Sequence, residues 1–144
     1  MPVFLIAVFV LFVGISAKHH HAKPAAEPAI SLSSSERAVL VADSTKLICG
    51  RYLPASTSLH VICLSNDLLS DDLITSLRGR GFALRSEQNA DGKNAIISVQ
   101  PVGSEAILLR LSVSKDWEAD RLYHRDSSGV TPETNFSVRN DGDS

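Results

Sequence analysis

The stretch that decides the fold is residues 65–84, SNDLLSDDLITSLRGRGFAL. Leucines recur every four residues within it, at Leu69, Leu73 and Leu77. This spacing predicts an α-helix with one apolar face. The polar residues at 65–67 suit a helix start, and Gly81 suits the left-handed position that commonly follows a helix end. We therefore expect a helix that ends just before Gly81 and packs its leucines on a sheet.

Two further elements are predicted before this helix. Residues 36–51 should form a helix, with Ser35 as its N-cap and Glu36 in its first turn. Pro54 should end it, because the residue before a proline resists helical angles. Residues 58–64 should form a strand with apolar side chains on both faces, which indicates a central strand or one covered on both sides.

Strands are predicted to follow the second helix in succession. They are expected at 82–87, 94–100, 106–113, 117–124 and 131–139. The pair Asp91-Gly92 is typical of tight hairpins and should join the first two of these strands. Helices that precede a run of hairpin-linked strands indicate the α+β class. We predict two helices packed on a mainly antiparallel sheet of four to five strands.

The start of the chain indicates export. Residues 3–15 are apolar without a break, and the run is short of the roughly 20 residues that a membrane span needs. We expect residues 1–17 to be a cleaved signal peptide, and an uncleaved N-terminal anchor is the alternative. The rest of the protein is then expected in the periplasm, associated with the cell envelope. Residues 18–35, rich in proline, alanine and serine, should form a flexible tether. A single domain is expected at 36–139 and a disordered tail at 140–144.

Two cysteines, Cys49 and Cys63, leave two alternatives open. In an oxidising compartment they could form one disulfide. They could equally remain free thiols that behave as small apolar side chains. Their spacing fits no zinc-binding pattern.

Composition and motifs give no support for catalysis or for nucleic-acid binding. The net charge of −2 offers no basic surface for nucleic acid. Residues 112–115 match the letters of a Ser-x-x-Lys pattern but end a predicted strand, where serine and lysine point to opposite faces. His60 and His124 each lie alone on a predicted strand, and the sequence has no phosphate-binding loop or dinucleotide fingerprint. We expect no enzyme activity, no cofactor, no metal and no small-molecule substrate.

Three segments resemble the TrbH family of conjugal transfer proteins. They are residues 52–59, residues 73–84, and residues 121–123 together with 129–139. The resemblance implies a structural, exported component of a bacterial type IV secretion system, with a domain similar to the ring-forming modules of secretins. It supplies no catalytic residues. The family's lipid-attachment cysteine has no counterpart after the leader, so the state of lipidation stays open.

The expected function is a non-enzymatic structural component of a conjugative type IV secretion, or mating-pair formation, apparatus. Its partners should be other subunits of the channel, and the membrane if the leader is uncleaved. Trp117 is expected in the core, whereas Tyr123 and Phe136 could be core residues or surface anchors. The candidate contact residues are Arg78, Arg80, Tyr123, Arg125 and Phe136. The alternative function is a stand-alone periplasmic binding protein or an inhibitor or immunity protein.

Overall fold

A computed structural model describes residues 29–87 and 91–141. Within these ranges lie two helices, α1 (Ser34–Cys49) and α2 (Asp67–Gly79), and a short 3-10 turn at Pro54–Ser56. The described strands are β1 (Ser58–Cys63), β2 (Ala83–Leu84), β3 (Lys93–Val102), β4 (Ala106–Val113), β5 (Trp117–Asp126), β6 (Gly129–Pro132) and β7 (Ser137–Asn140). The predicted leader and the first part of the predicted tether lie outside the described residues.

The described strands form one mixed sheet in the order β2-β1-β3-β4-β5-β6, and β7 also pairs with β5. β1 is parallel to both β2 and β3, and the pairs from β3 onward are antiparallel. The predicted α+β class is confirmed. The predicted sheet of four to five strands is too small, because the short β2 and both parts of a divided last strand also join it.

The predicted hairpin at Asp91-Gly92 is wrong. β2 and β3 do not pair with each other, since each pairs with β1 from opposite sides. β2 is only two residues long because the chain becomes polar and exposed directly after Leu84. The apolar β1 thereby gains a neighbour on each edge, as expected for a strand with apolar side chains on both faces.

The helix predicted from the leucine spacing is confirmed. Asn66 caps α2, because its Oδ1 accepts a hydrogen bond of 2.9 Å from the backbone N–H of Leu69. The side chains of Leu69, Leu73 and Leu77 are fully buried. Gly81 has a φ of 95°, the left-handed conformation predicted for it.

The start of α1 differs from the prediction. Ser33, not Ser35, is the N-cap, and it forms a capping box with Glu36. Ile30 and Leu32, which both precede the cap, are buried in the core. The tether predicted over 18–35 is therefore too long at its carboxyl end, because alternate apolar residues bring the chain into the core by residue 30.

One face of the sheet packs against the helices and supplies most of the core. β4 shows the alternation, since Ile107, Leu109, Leu111 and Val113 are fully buried. Arg110, between them on the opposite face, is exposed. The alternation predicted for 106–113 is confirmed, and it places the helices on the side of the sheet that carries these four residues.

The strand predicted over 131–139 is divided in two. β6 pairs Pro132 with Tyr123, whereas β7 pairs Ser137 with Asp120, so four residues of this edge lie opposite two residues of β5. We call residues 133–136 the bulge. Pro132 has no backbone N–H to continue the ladder, and an insertion of this kind bends an edge strand.

Candidate interaction surface

Arg121 on β5 holds the bulge in place. Its Nε donates a hydrogen bond of 2.7 Å to the backbone oxygen of Thr134, and its Nη1 lies 3.0 Å from Oδ2 of Asp43 on α1. The guanidinium also lies 5.5 Å from the ring centroid of Tyr123 and 5.1 Å from that of Phe136. Arg121 therefore links α1, β5 and the bulge through ionic, backbone and cation–π contacts.

Tyr123 is a core residue. Its side chain is fully buried, and its hydroxyl donates a hydrogen bond of 2.7 Å to Oδ2 of Asp43. Burial, together with the neighbouring Asp43 carboxylate, raises the pKa of Tyr123 well above its usual value. In the folded domain Tyr123 presents no surface to a partner.

Arg125 forms an ion pair within the domain. Its Nε lies 2.7 Å from Oε1 of Glu36, and its Nη2 donates to Oε2 of Glu36 at 3.1 Å and to the backbone oxygen of Ser31 at 2.7 Å. Burial alone would raise the pKa of Glu36, but hydrogen bonds from Arg125 and Ser33 outweigh it and lower that pKa. The bidentate pair fastens the start of α1 to the end of β5.

Phe136 borders a shallow groove between α1 and the bulge. The groove has a volume of about 580 Å³ and is lined by Asp43, Lys46, Leu47, Gly50, Arg51 and Phe136. Leu47 and Phe136 are half-buried and pack against the core. Phe136 therefore packs against the core on one side and remains partly accessible on the other.

Arg78 and Arg80 lie exposed at the end of α2. No acidic side chain of the described ranges lies within ion-pairing distance of either one. They lie away from Arg125, which is fastened to the start of α1. The five candidate contact residues therefore do not form one surface.

A polar cluster that sequence pattern did not reveal joins the end of α1 to the β4–β5 turn. The Tyr52 hydroxyl donates to Oδ2 of Asp116 at 2.7 Å and accepts a hydrogen bond of 2.9 Å from Nε1 of Trp117. Lys93 Nζ lies 2.7 Å from the same Asp116 oxygen. Hydrogen bonds from Lys93 and Tyr52 lower the pKa of Asp116. Burial, followed by the bond to Asp116, raises the pKa of Tyr52 to about 12.

The same cluster confirms the prediction for Trp117, which is 4% exposed and belongs to the core. Arg51 lies over its ring, 4.9 Å from the centroid. The hydrogen bonds of Tyr52 span 64 and 65 residues of sequence. Because these partners lie so far away in the sequence, they were not predictable from local pattern.

The two cysteines lie on different elements. Cys63 ends β1, close to the point where Ile30 donates a backbone hydrogen bond to Ser65. α1 begins near that point, and at about 1.5 Å per residue it carries Cys49 roughly 20 Å away. A disulfide needs Cα atoms within about 7 Å of each other. Both thiols are free and half-buried, which favours the free-thiol alternative.

The two strand histidines make ordinary polar contacts. Nδ1 of His60 lies 3.0 Å from the backbone oxygen of Arg85, and His124 lies near the carboxylates of Asp126 and Glu133. Within the described ranges, no three His, Cys, Asp or Glu side chains are grouped as metal ligands would be. Across residues 29–87 and 91–141, no helix is both long and apolar enough to cross a membrane.

β7 forms an exposed edge of the sheet. All four of its residues are exposed, and in the described part of the chain it pairs with β5 alone. The backbone N–H of Asp141 donates to the oxygen of Asp116 across the ladder. Because bonded and non-bonded pairs alternate in antiparallel strands, Val138 and Asn140 direct their backbone groups away from β5. We call this outward side the β7 edge.

Comparison with known families identifies the chain's relatives. The family model described as conjugal transfer protein TrbH matches residues 18–141, which is most of the chain. The chain belongs to the TrbH family. No curated protein and no solved structure gives a significant match. The resemblance to TrbH predicted from three segments is thus confirmed, and the likeness to secretin modules stays a prediction.

The three segments that carry the TrbH resemblance hold structural contacts. Residues 52–59 contain Tyr52 of the polar cluster and lead into β1. Residues 73–84 contain the end of α2 and the left-handed Gly81. The last segment contains Arg121 and the bulge that it holds.

Proposed function

We propose that this TrbH-family protein is a non-enzymatic structural component of a conjugative type IV secretion apparatus in the cell envelope. Membership of a conjugal transfer family supports a role in transfer. The apolar segment at 3–15 supports export and a periplasmic or envelope location. The protein acts by binding other subunits of the channel.

The organised polar groups of the domain support a structural role. Asp43, Glu36, Arg121 and Arg125 have the shortest charged contacts between α1 and β5, and each contact joins two elements of the fold. Groups used in this way fix the position of the last strands relative to α1. The sheet edge is therefore held in one position before a partner binds, and the partner supplies the complementary strand.

The observation that carries the proposal is the β7 edge. Among the described residues, the outward backbone groups of Val138 and Asn140 have no partner, and an extended segment of another subunit can add to such an edge as a further strand. Val138 is 36% exposed and supplies an apolar contact beside these backbone groups. Arg139 is held by Glu118 and Asp120, which keeps β7 in register.

Co-purification from cells that carry the transfer genes tests this function. The full chain, extracted gently from the envelope, should bring other envelope subunits of the same transfer system with it. Recovery of free monomer alone would contradict the proposal.

A pair of variants at one position tests the β7 edge. Val138→Pro removes an outward N–H and keeps the bonds to β5, so recovery of partner subunits should fall about tenfold, the effect of roughly 1.4 kcal/mol. Val138→Ala is the matched control, because it shortens the side chain and keeps the N–H. Equal recovery with both variants, each with the thermal midpoint of the wild type, would exclude the β7 edge as the contact.

A further inference from the structure

The two helices run in the same direction, which gives the domain two distinct ends. Arg37, near the start of α1, forms an ion pair of 2.7 Å with Asp72, in the first half of α2. Further along, the hydroxyls of Thr45 and Ser76 lie 2.8 Å apart. Both helix starts therefore lie at one end of the domain and both helix ends lie at the other.

The end that carries the helix starts is acidic and has exposed leucines. Leu64 is 54% exposed and Leu68 is 56% exposed, on either side of the Asn66 cap. Asp67 and Asp71, one helical turn apart and both exposed, lie beside Leu68. We call these four residues the acidic end.

The opposite end is basic and also has an exposed leucine. Leu53 is 75% exposed, and the adjacent Pro54 packs beside Gly81, since a Cβ on Gly81 would lie 3.6 Å from the Pro54 Cβ. Arg78 and Arg80 are exposed at the same place. Leu53, Arg78 and Arg80 form what we call the basic end.

The two ends are complementary in chemistry. Each end has exposed leucine side chains. The charged residues beside these leucines are negative at one end and positive at the other. An apolar centre with an oppositely charged rim is the usual composition of a protein–protein contact, in which the charges set orientation and association rate. No rearrangement of the domain is needed to bring the two ends of different copies together.

We propose that copies of this chain associate end to end, with the basic end of one copy on the acidic end of the next. Such a contact is heterologous, so repetition of it gives a closed ring or an open filament and not a two-fold dimer. This inference goes beyond the proposed function, which concerns other subunits at the β7 edge. The two surfaces share no residue.

Self-association of the purified full chain, in mild detergent if the leader is retained, tests the inference. The mass should rise with protein concentration between about 1 and 100 μM, and association should weaken at least tenfold between about 50 and 500 mM salt. A wild-type protein that stays monomeric throughout this range overturns the inference. That outcome would not change the result expected from co-purification, which tests the contact at the β7 edge.

Charge reversal at each end provides the control. R78E/R80E and D67K/D71K should each be monomeric alone, because each variant brings like charges together at the contact. A mixture of the two should associate, since one intact basic end then meets one intact acidic end. Misfolding of either variant would not be reversed by mixing. Assembly of either variant alone, as in the wild type, would overturn the inference.

Discussion

Asp43 shows at the scale of single residues how the last strands are fastened to α1. Its Oδ2 accepts hydrogen bonds from the Tyr123 hydroxyl and from Arg121. These partners lie 80 and 78 residues away in the sequence. From sequence, Tyr123 could therefore be placed in the core or on the surface, because what decides its burial is an acceptor on a distant helix.

Asp43→Asn should lower the free energy of unfolding by about 2 kcal/mol, because it leaves the half-buried guanidinium of Arg121 without its charged partner. Tyr123→Phe should cost about 1 kcal/mol. Because Asp43→Asn weakens the hydrogen bond that Tyr123→Phe removes, the double variant should cost less than their sum. Urea denaturation measures all three variants, and strictly additive costs would show that the two residues act independently.

Glu36 should make the stability of the protein depend on pH. Its folded-state pKa lies below the usual value of 4.5, so its stabilising effect is present at neutral pH and is lost as the pH falls below 4.5. Glu36→Gln should destabilise the protein by about 1 kcal/mol at pH 7, and the difference from the wild type should shrink in acid. Urea midpoints measured from pH 7 to pH 3 test this, with the exposed Glu87→Gln as the control. A difference that stays constant with pH would contradict it.

At the scale of elements, α2 was predictable because its signals are local. The leucine spacing, the Asn66 cap and Gly81 all lie within one short stretch and agree with each other. The connection after α2 was not predictable, because the hairpin signal at Asp91-Gly92 competes with β1, which lies earlier in the chain and pairs on both edges. The divided last strand likewise depends on Arg121, a residue of the neighbouring strand.

Two glycines at the end of α2 should respond oppositely to alanine. Gly81 has a φ of 95°, so Gly81→Ala should destabilise the protein by about 1 kcal/mol. Gly79 lies in the last turn of α2, and a Cβ added there would meet no neighbouring atom within 4 Å. Gly79→Ala should therefore be neutral or stabilise by up to about 1 kcal/mol. Thermal midpoints measure both variants, and the same sign of change at both positions would contradict the assigned conformations.

At the scale of the whole molecule, the family and the fold class followed from the sequence, whereas the candidate contact residues divide between the interior and the surface of the domain. Aromatic and basic residues were candidates by type, yet Tyr123 is in the core and Arg125 is paired with Glu36. The surfaces that remain are defined by topology. In the described residues β7 pairs with β5 alone, which leaves the β7 edge, and the two charged ends exist because α1 and α2 run in the same direction.

Site-specific photocrosslinking in living donor cells tests the central claim, that this protein serves conjugal transfer by contact with other subunits at the β7 edge. A photoreactive amino acid at position 138 should give a cross-link to another subunit of the transfer system. The same probe at Thr75, exposed on α2, is the control and should give no cross-link to a different protein of the transfer system. Absence of a cross-link from position 138, in cells that transfer DNA at the wild-type frequency, would contradict the account.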